Sequence, residues 1–365
     1  MLLDDHGAIA LLPTASRIVR EVSPLTWAAY APIAGPPDFL RAVVHEVLAT
    51  EPELETIAVA VATPGGTGAL HHAITCTLEP GQALLTSSFY WGPYHTIADE
   101  AGRRIVTFRM VDDAGAFNVP AFDRALGERL DEQGRALVFL NDPCQNPTGY
   151  SMTPEDWNAV VDVILHHAAR GPVVLLIDCA YASYAAEQAV SPLTALRRLV
   201  GKVAVLFAWS ASKTFSHYGL RVGALVACVG SSDARHARAN VESALSYACR
   251  GTWSNCNAGG MAAITRLLVE PELRLACNVE RDLLRHNLAQ RVDAFNRLAR
   301  PRGLRYPRYD GGFFVTVFEE DAPGKAARLR QQGVFVVPQA GGLRVALCAV
   351  SEQQVPRLVD ALASV

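Results

Sequence analysis

The sequence of 365 residues has no large excess of charge of one sign, because 36 acidic residues balance 33 lysines and arginines. The net charge of -3 and the absence of long like-charged runs give no attraction to nucleic acid or to an anionic membrane surface. We therefore expect neither as a partner. Half of the residues are hydrophobic, so the chain can bury a large core and is long enough for two domains.

Long apolar runs and a secretion signal are also missing. No apolar stretch approaches the length that crosses a bilayer, and the opening MLLDDHGAIALLP has no basic start followed by an apolar core and a cleavage site. We expect a cytoplasmic protein that is not bound to a membrane.

Paired cysteines are the third absence. Eight cysteines are scattered singly, and none forms the C-x-x-C pair that is typical of zinc sites and thiol redox centres. Most lie within apolar runs, so we expect buried, reduced thiols and no metal site.

Short β-branched apolar runs alternate with segments of helical period in the first two thirds of the chain. This alternation predicts βαβ units and a mostly parallel sheet covered on both faces. One helix is well marked, since Thr153 is a good N-cap, Pro154 follows it, and Gly171 comes after the apolar stripe. The predicted strands occupy residues 57–61, 83–86, 136–140, 173–177, 203–208 and 224–229.

The pattern changes after residue 260. Residues 271–300 predict one long amphipathic helix that ends at Pro301 and Gly303. Three strand-like runs follow, at residues 313–318, 334–337 and 343–347. The fold class is therefore α/β, with a large domain over residues 25–285 and a smaller α+β domain made of residues 1–24 and 286–365.

Three predicted strands end in candidate binding residues. The run ATPGGTGAL (62–70) places glycines and Thr67 between a strand and a helix, where backbone N–H groups can hold a phosphate. Asp178 ends a buried strand, where a carboxylate can hold a cationic ligand atom. NDPCQNPTG (141–149) ends another strand. An ordinary turn, a helix cap and loop punctuation are the alternative readings of the three stretches.

Lys213 follows a fourth apolar strand, in the run AWSASKTFSHYGLRVG (208–223). Partial burial there would favour its neutral amine, which can form a Schiff base. Ser210, Ser212 and Arg221 could supply hydroxyls and a cation to a phosphate dianion. A solvated surface lysine is the alternative.

A phosphate cradle, an Asn-Pro-Thr-Gly turn, a strand-end carboxylate and an amine, in this order along one βα array, fit pyridoxal 5′-phosphate. From about residue 4 to its C-terminus the chain resembles the fold-type I pyridoxal-phosphate aminotransferases of class I, most closely the aspartate/aromatic subgroup. The resemblance implies a large domain with a mostly parallel, seven-stranded type of sheet flanked by helices, and a smaller α+β domain.

The resemblance implies a role for each cofactor residue. Lys213 would bind the cofactor covalently and then move the substrate proton, and Asp178 would keep the ring nitrogen protonated. Tyr181 and Asn146 would donate hydrogen bonds to the ring oxygen. The phosphate would be held by Gly66, Thr67, Ser210 and Arg221.

Two aromatic residues complete the implied cofactor site. Trp91, in FYWGPY, matches the residue that stacks on the cofactor ring, although a tryptophan with a role in the core is the alternative. Tyr30, in YAPIAGPPDF, resembles the tyrosine that reaches the phosphate of the neighbouring subunit. The resemblance therefore implies a homodimer with shared active sites.

Two arginines concern the substrate. Arg344, in GLRVAL, matches the residue that clamps the amino acid α-carboxylate. Arg250, in CRGTWSN, resembles the residue that crosses from the partner subunit to bind a distal carboxylate. Glutamate and 2-oxoglutarate would then form one substrate pair, whereas a surface arginine near a dimer interface is the alternative for Arg250.

The chain departs from the family pattern at several places. Tyr94 stands where the family has the histidine that supports the pyridine-binding aspartate, and Asn141 stands where a histidine is frequent. Cys256 and Asn257 replace a Pro-Pro pair, and the family segment that closes over the substrate precedes the point where this chain begins. These changes indicate a specialised substrate.

The sequence thus predicts an aminotransferase that exchanges the amino group between an acidic or aromatic L-amino acid and a 2-oxo acid by a ping-pong mechanism. A β-lyase or decarboxylase on the same fold is the alternative among enzymes. A non-catalytic protein that senses the cofactor is disfavoured, since the sequence shows no helix-turn-helix module or basic extension.

Overall fold

The computed structural model describes residues 1–186, 191–229 and 234–364. A seven-stranded sheet forms its centre, with the strand order β1-β7-β6-β5-β4-β2-β3. The five strands from β6 to β3 are parallel, whereas β7 runs antiparallel to both of its neighbours. The strands are β1 (Ala58–Pro64), β2 (Ala83–Ser87), β3 (Arg104–Phe108), β4 (Ala136–Asn141), β5 (Val173–Asp178), β6 (Ala204–Ser210) and β7 (Val222–Cys228).

The mostly parallel sheet is confirmed, and each of the six predicted runs overlaps one of its strands. The sequence did not indicate β3. This strand lies at the edge of the sheet and is only partly covered, so it lacks the continuous apolar run of a strand buried on both faces.

Helices cover both faces of the sheet. Val138 and Leu140 of β4 lie in one hydrophobic core cluster, whereas Leu137 and Phe139 lie in the other. Alternate side chains therefore enter opposite cores, which explains why the central strands read as unbroken apolar runs.

Fifteen α-helices are present in the described part of the chain, and the start of α8 (Pro154–Ala168) shows how the sequence sets a helix boundary. The N-cap predicted at Thr153 is confirmed: its hydroxyl accepts from the N–H of Asp156 at 3.0 Å, and the Asp156 carboxylate accepts from the N–H of Thr153 at 2.9 Å. The helices are α1 (Pro13–Glu21), α2 (Pro24–Ala28), α3 (Pro37–Leu48), α4 (Pro52–Ile57), α5 (Gly65–Thr77), α6 (Pro93–Glu100), α7 (Val119–Gln133), α8 (Pro154–Ala168), α9 (Leu193–Leu196), α10 (Ala211–Thr214), α11 (Ala234–Thr252), α12 (Ala258–Val269), α13 (Pro271–Ala299), α14 (Ala322–Gln331) and α15 (Val355–Ser364).

A second sheet of three antiparallel strands, here called the small sheet, follows the long helix α13. Its strands are β8 (Val315–Phe318), β9 (Val337–Gln339) and β10 (Gly342–Val345), in the order β8-β10-β9. The long helix is confirmed, but the strand predicted over 334–337 begins only at Val337. Val334 instead closes the end of α14, where its N–H bonds to the carbonyl of Leu329 at 3.0 Å.

The N-terminal segment, the helix lengths and the cysteines can be compared with the predictions. Leu12, Ala15 and Ile18 of the N-terminal segment pack into a core cluster of the large sheet, and the predicted domain boundaries stay a prediction. Among the residues described, no helix has the length and apolar character of a membrane span. All eight cysteines are free, but Cys76 is exposed rather than buried.

Candidate active site

The carboxyl ends of β1, β5 and β6 meet at one edge of the sheet around a cavity of about 190 Å³. Strand ends of an open α/β sheet are the usual place for a ligand. Nine of the twelve predicted site residues line this cavity, namely Gly66, Thr67, Trp91, Asn146, Asp178, Tyr181, Ser210, Lys213 and Arg221. The other lining residues are Leu70, Asn141, Ala180, Ser212 and Tyr218.

The glycine turn after β1 lies in close contact with the guanidinium of Arg221. Gly65 has a φ of +70°, and a Cβ atom added there would lie 2.5 Å from Nη2 of Arg221. The same Nη2 donates to the carbonyl of Pro64 at 3.2 Å. The absence of a side chain at Gly65 therefore lets Arg221 reach the N-terminus of α5.

Hydroxyl groups surround this guanidinium. Nη1 of Arg221 donates to the hydroxyl of Ser212 at 3.3 Å, and the hydroxyl of Ser210 accepts from the N–H of Ser212 at 3.2 Å. Thr67 lies on the first turn of α5 and also lines the cavity. Hydroxyls, a guanidinium and a helix N-terminus together form the donor set that suits a phosphate dianion, so this end of the cavity fits the cofactor phosphate.

Asp178 ends β5 and is 6% exposed. Its Oδ2 accepts from the hydroxyl of Tyr94 at 2.6 Å, and its Oδ1 accepts from the N–H of Ala180 at 3.2 Å. Burial raises the pKa of this carboxyl, opposed first by the Tyr94 hydrogen bond and then by the charge of Lys213. A buried carboxylate at this position fits the ring nitrogen of the cofactor.

Lys213 lies on α10, directly after β6. Its Nζ atom is 5.2 Å from the centre of the Tyr181 ring. Burial lowers the pKa of its amine, and the charge of Arg221 acts in the same direction, whereas Asp178 raises it. A larger neutral fraction makes the amine a better nucleophile and base.

The Asn-Pro-Thr-Gly turn brings an amide to the same cavity. Nδ2 of Asn146 donates to the hydroxyl of Tyr181 at 3.2 Å. The side chain of Asn141 holds this turn, since its Oδ1 accepts from the N–H of Asn146 and its Nδ2 donates to the carbonyl of Asp178, both at 2.7 Å. Burial raises the pKa of Tyr181, so its hydroxyl stays protonated as a donor.

Arg344 lies on β10 of the small sheet and reaches the same turn. Its Nη1 donates to Oδ1 of Asn146 at 3.4 Å, and its guanidinium lies 4.8 Å from the centre of the Phe314 ring. Its Nε has no hydrogen-bond partner among the described residues. Arg344 can therefore offer further N–H groups to a carboxylate.

The small sheet also bonds directly to this turn. The hydroxyl of Thr316 donates to the carbonyl of Pro147 at 3.0 Å, and Nε2 of Gln339 donates to the same hydroxyl at 2.8 Å. A Cβ atom at Gly149 would collide with the ring of Tyr309. These contacts fix the turn against the small sheet.

Tyr30 and Arg250 do not line the cavity in this single chain. The hydroxyl of Ser254 joins them, since it lies 2.6 Å from the Tyr30 hydroxyl and accepts from Nη1 of Arg250 at 2.7 Å. Tyr30 is 71% exposed. The structure thus brings these two predicted residues together on the surface, outside the cavity of this chain.

Tyr218 lines the cavity, but its residue type gave no signal in the sequence. It lies in a short turn between Lys213 and Arg221, and its hydroxyl accepts from the N–H of Leu2 at 3.2 Å. The one indication in the sequence was its position between Lys213 and Arg221, which were both predicted to bind the cofactor. Leu70 had a clue as well, since it lies one helical turn after Gly66 on α5.

The sheet topology and the cavity define a fold-type I, pyridoxal-phosphate-dependent enzyme. The family model described as aminotransferase class I and II matches residues 6–362. The chain belongs to this family, so the predictions of an aminotransferase and of pyridoxal 5′-phosphate as its cofactor are confirmed.

Named relatives agree with this assignment. The chain is 29% identical to an aromatic-amino-acid aminotransferase of Pseudomonas aeruginosa, over 86% of this chain and 76% of the relative. A crystal structure of an aminotransferase from Anaerococcus prevotii has a TM-score of 0.92 and 31% identity, over 100% of this chain and 89% of that one. An aromatic-amino-acid aminotransferase from Burkholderia pseudomallei, covalently bound to pyridoxal phosphate, has a TM-score of 0.82 and 25% identity, over 100% and 90%.

Proposed function

We propose that this aminotransferase moves the amino group between an acidic or aromatic L-amino acid and a 2-oxo acid such as 2-oxoglutarate, in a ping-pong cycle. The observation that carries the proposal is that Lys213, Asp178 and Arg221 line one cavity, with Arg344 hydrogen-bonded to Asn146 of the same cavity. One site thus combines an amine for covalent attachment of the cofactor with a carboxylate for its ring nitrogen. It also holds hydrogen-bond donors for the cofactor phosphate and for the substrate carboxylate.

Each residue then has a defined task. Gly66, Thr67, Ser210 and Arg221 would hold the phosphate, and Trp91 would stack on the ring. When bound, pyridoxal 5′-phosphate withdraws electrons from the α-carbon of the substrate. Burial favours the neutral amine of Lys213. This amine would take the proton from the substrate Cα and deliver it to C4′ of the cofactor.

Three polar groups would orient the substrate and the ring oxygen. Arg344 would bind the α-carboxylate through two N–H groups, beside the Asn146 side chain that it already contacts. Asn146 and Tyr181 would donate to the oxygen of the cofactor ring. Holding the carboxylate at a fixed position would orient the α-carbon for proton transfer to Lys213.

We also propose that the enzyme is a homodimer in which Tyr30 and Arg250 reach the cavity of the partner. The segment 25–33 exposes several large apolar side chains, and Tyr247 on α11 is 83% exposed, which is typical of a surface that a partner covers. The exposed members of the segment are Leu25 (82%), Trp27 (39%), Tyr30 (71%) and Ile33 (37%). Arg250 would bind the distal carboxylate of an acidic substrate.

The cytoplasm is the proposed location. All eight cysteines are free thiols, which suits a reducing compartment.

The test is to mix the cofactor-loaded enzyme with single L-amino acids, including aspartate, glutamate, phenylalanine and tyrosine. The cofactor absorbance is expected to bleach with the preferred donors, with release of one equivalent of 2-oxo acid, and to return on addition of 2-oxoglutarate. Release of ammonia or carbon dioxide in repeated turnovers, without an oxo acid acceptor, would instead establish a lyase or a decarboxylase.

A further inference from the structure

The shortest hydrogen bond to the Asp178 carboxylate comes from the hydroxyl of Tyr94. The hydroxyl of Tyr94 donates to Oδ2 at 2.6 Å, and the two side chains are only 1% and 6% exposed. A short O–H···O⁻ bond shielded from water is among the stronger hydrogen bonds in proteins.

Packing fixes the Tyr94 ring. The ring meets Phe139 of β4 edge-on with the centroids 5.3 Å apart, and it stacks on Tyr90 at 6.3 Å. Its backbone N–H bonds to the carbonyl of Trp91 at 2.8 Å, at the start of α6. The position of the hydroxyl is therefore set by the fold before any ligand enters.

We propose that Tyr94 is a positioning residue, which holds the Asp178 carboxylate in the orientation that receives the ring N–H of the cofactor. This inference rests on the proposed placement of the cofactor. The Tyr94 hydroxyl donates a hydrogen bond to one carboxylate oxygen of Asp178, and the N–H of Ala180 donates to the other. Each oxygen keeps a further lone pair for a donor in the cavity that Asp178 lines.

The chemistry of a phenol gives this arrangement a property that an imidazole lacks. Burial raises the pKa of Tyr94, so its hydroxyl keeps its proton at every working pH and never gains a charge. The titratable groups that face the pair are Lys213, Tyr181 and Cys179. Asp178 is thus held by a donor whose charge stays constant, whereas a histidine can gain or lose a positive charge as the pH changes.

The test compares Tyr94→Phe with the natural protein, since phenylalanine keeps the ring packing and removes only the hydroxyl. The apo-proteins are titrated with pyridoxal 5′-phosphate and with an analogue whose ring nitrogen is replaced by carbon. We expect the Kd of the natural cofactor to rise about 10-fold or more in Tyr94→Phe, the usual effect of losing a bond to a charged group. The Kd of the carbon analogue should change much less.

Tyr150→Phe is the matched control. Tyr150 is likewise buried, with 2% exposed, and donates to the carboxylate of Asp156 at 2.8 Å, but it does not line the cavity. Its loss should lower the melting temperature without changing either Kd. Asp178→Asn provides the second control, because Tyr94→Phe should have little further effect on cofactor binding in that background.

Tyr94→His gives an independent measurement should Tyr94→Phe fail to fold. Its Kd for the cofactor, divided by that of the natural protein, is expected to change between about pH 5 and pH 8, the range in which an imidazole can change its charge. A constant ratio would overturn the proposal, as would equal losses of Tyr94→Phe with both cofactors, or no loss. If the natural protein binds no cofactor, the proposed function itself fails; if it binds and transaminates while Tyr94→Phe behaves normally, only the role of Tyr94 is wrong.

Discussion

The guanidinium of Arg344 donates a hydrogen bond of 3.4 Å to the side-chain oxygen of Asn146, which joins the small sheet to the Asn-Pro-Thr-Gly turn. These residues are 198 positions apart in the sequence. A group that would bind the substrate carboxylate therefore lies next to one that would bind the cofactor ring.

Arg344→Lys tests the carboxylate role. Lysine keeps the positive charge but cannot offer two parallel N–H groups, so kcat/KM should fall about 100-fold for every amino acid, acidic or aromatic. The Kd of the cofactor should stay within about 2-fold, because the phosphate and ring contacts remain. Arg330→Lys, on the exposed surface of α14, should leave both quantities unchanged. A selective loss for one substrate class would contradict the assignment.

Lys213 can be tested by chemical trapping. The sequence contains only three lysines, Lys202, Lys213 and Lys325, so a borohydride-reduced cofactor adduct can be mapped without ambiguity. The adduct is expected on the peptide that holds Lys213. Lys213→Ala should lower kcat by about 10²- to 10⁴-fold, while Lys202→Ala, at an exposed position, should keep the natural activity. An adduct on Lys202 or Lys325, or none, would refute the proposed chemistry.

Arg250→Leu tests the distal carboxylate. We expect kcat/KM for glutamate and aspartate to fall about 100-fold, because a charge-assisted contact is lost, and kcat/KM for phenylalanine to change less than about 3-fold. Arg238→Leu, an exposed arginine on the same helix, is the control. Equal losses for acidic and aromatic substrates would remove this role from Arg250.

Asp142 should make stability depend on pH. It is 2% exposed and accepts from the N–H of Met152 at 2.8 Å and from Nε1 of Trp157 at 3.0 Å. Burial raises its pKa to about 7. The folded state then binds the proton more tightly than the unfolded state, so this group's contribution to stability is lost as pH rises from about 4 to about 7.

Urea unfolding of the natural protein and of Asp142→Asn measures this contribution. Between pH 5 and pH 7 the free energy of unfolding of the natural protein should fall by about 2 kcal/mol relative to the variant. The same pH dependence in both proteins would show that Asp142 does not bind a proton in this range.

The sequence was sufficient where a local signal coincides with a strand end. Lys213 and Asp178 each follow an apolar run, and because β5 and β6 are parallel neighbours, both residues come to the same edge of the sheet. The capping box at Thr153 is likewise encoded within four residues.

Long-range relationships could not be predicted in this way. The insertion of β7 between β6 and β1 depends on its pairing with β1, which lies more than 150 residues earlier, and local periodicity carries no information on that pairing. The contact of Tyr30 with Ser254 spans 224 positions. The polar bond between Tyr94 and Asp178 was suggested only by comparison with a family pattern, since a buried tyrosine has no periodic signature.

The hydrogen bonds from Gln339 to Thr316 and from Thr316 to Pro147 tie the small sheet to the Asn-Pro-Thr-Gly turn. Any tilt of that sheet displaces the Asn146 amide together with the Arg344 guanidinium. If Arg344 holds the substrate and Asn146 the cofactor ring, as proposed, a shift of the small sheet would change both binding sites together.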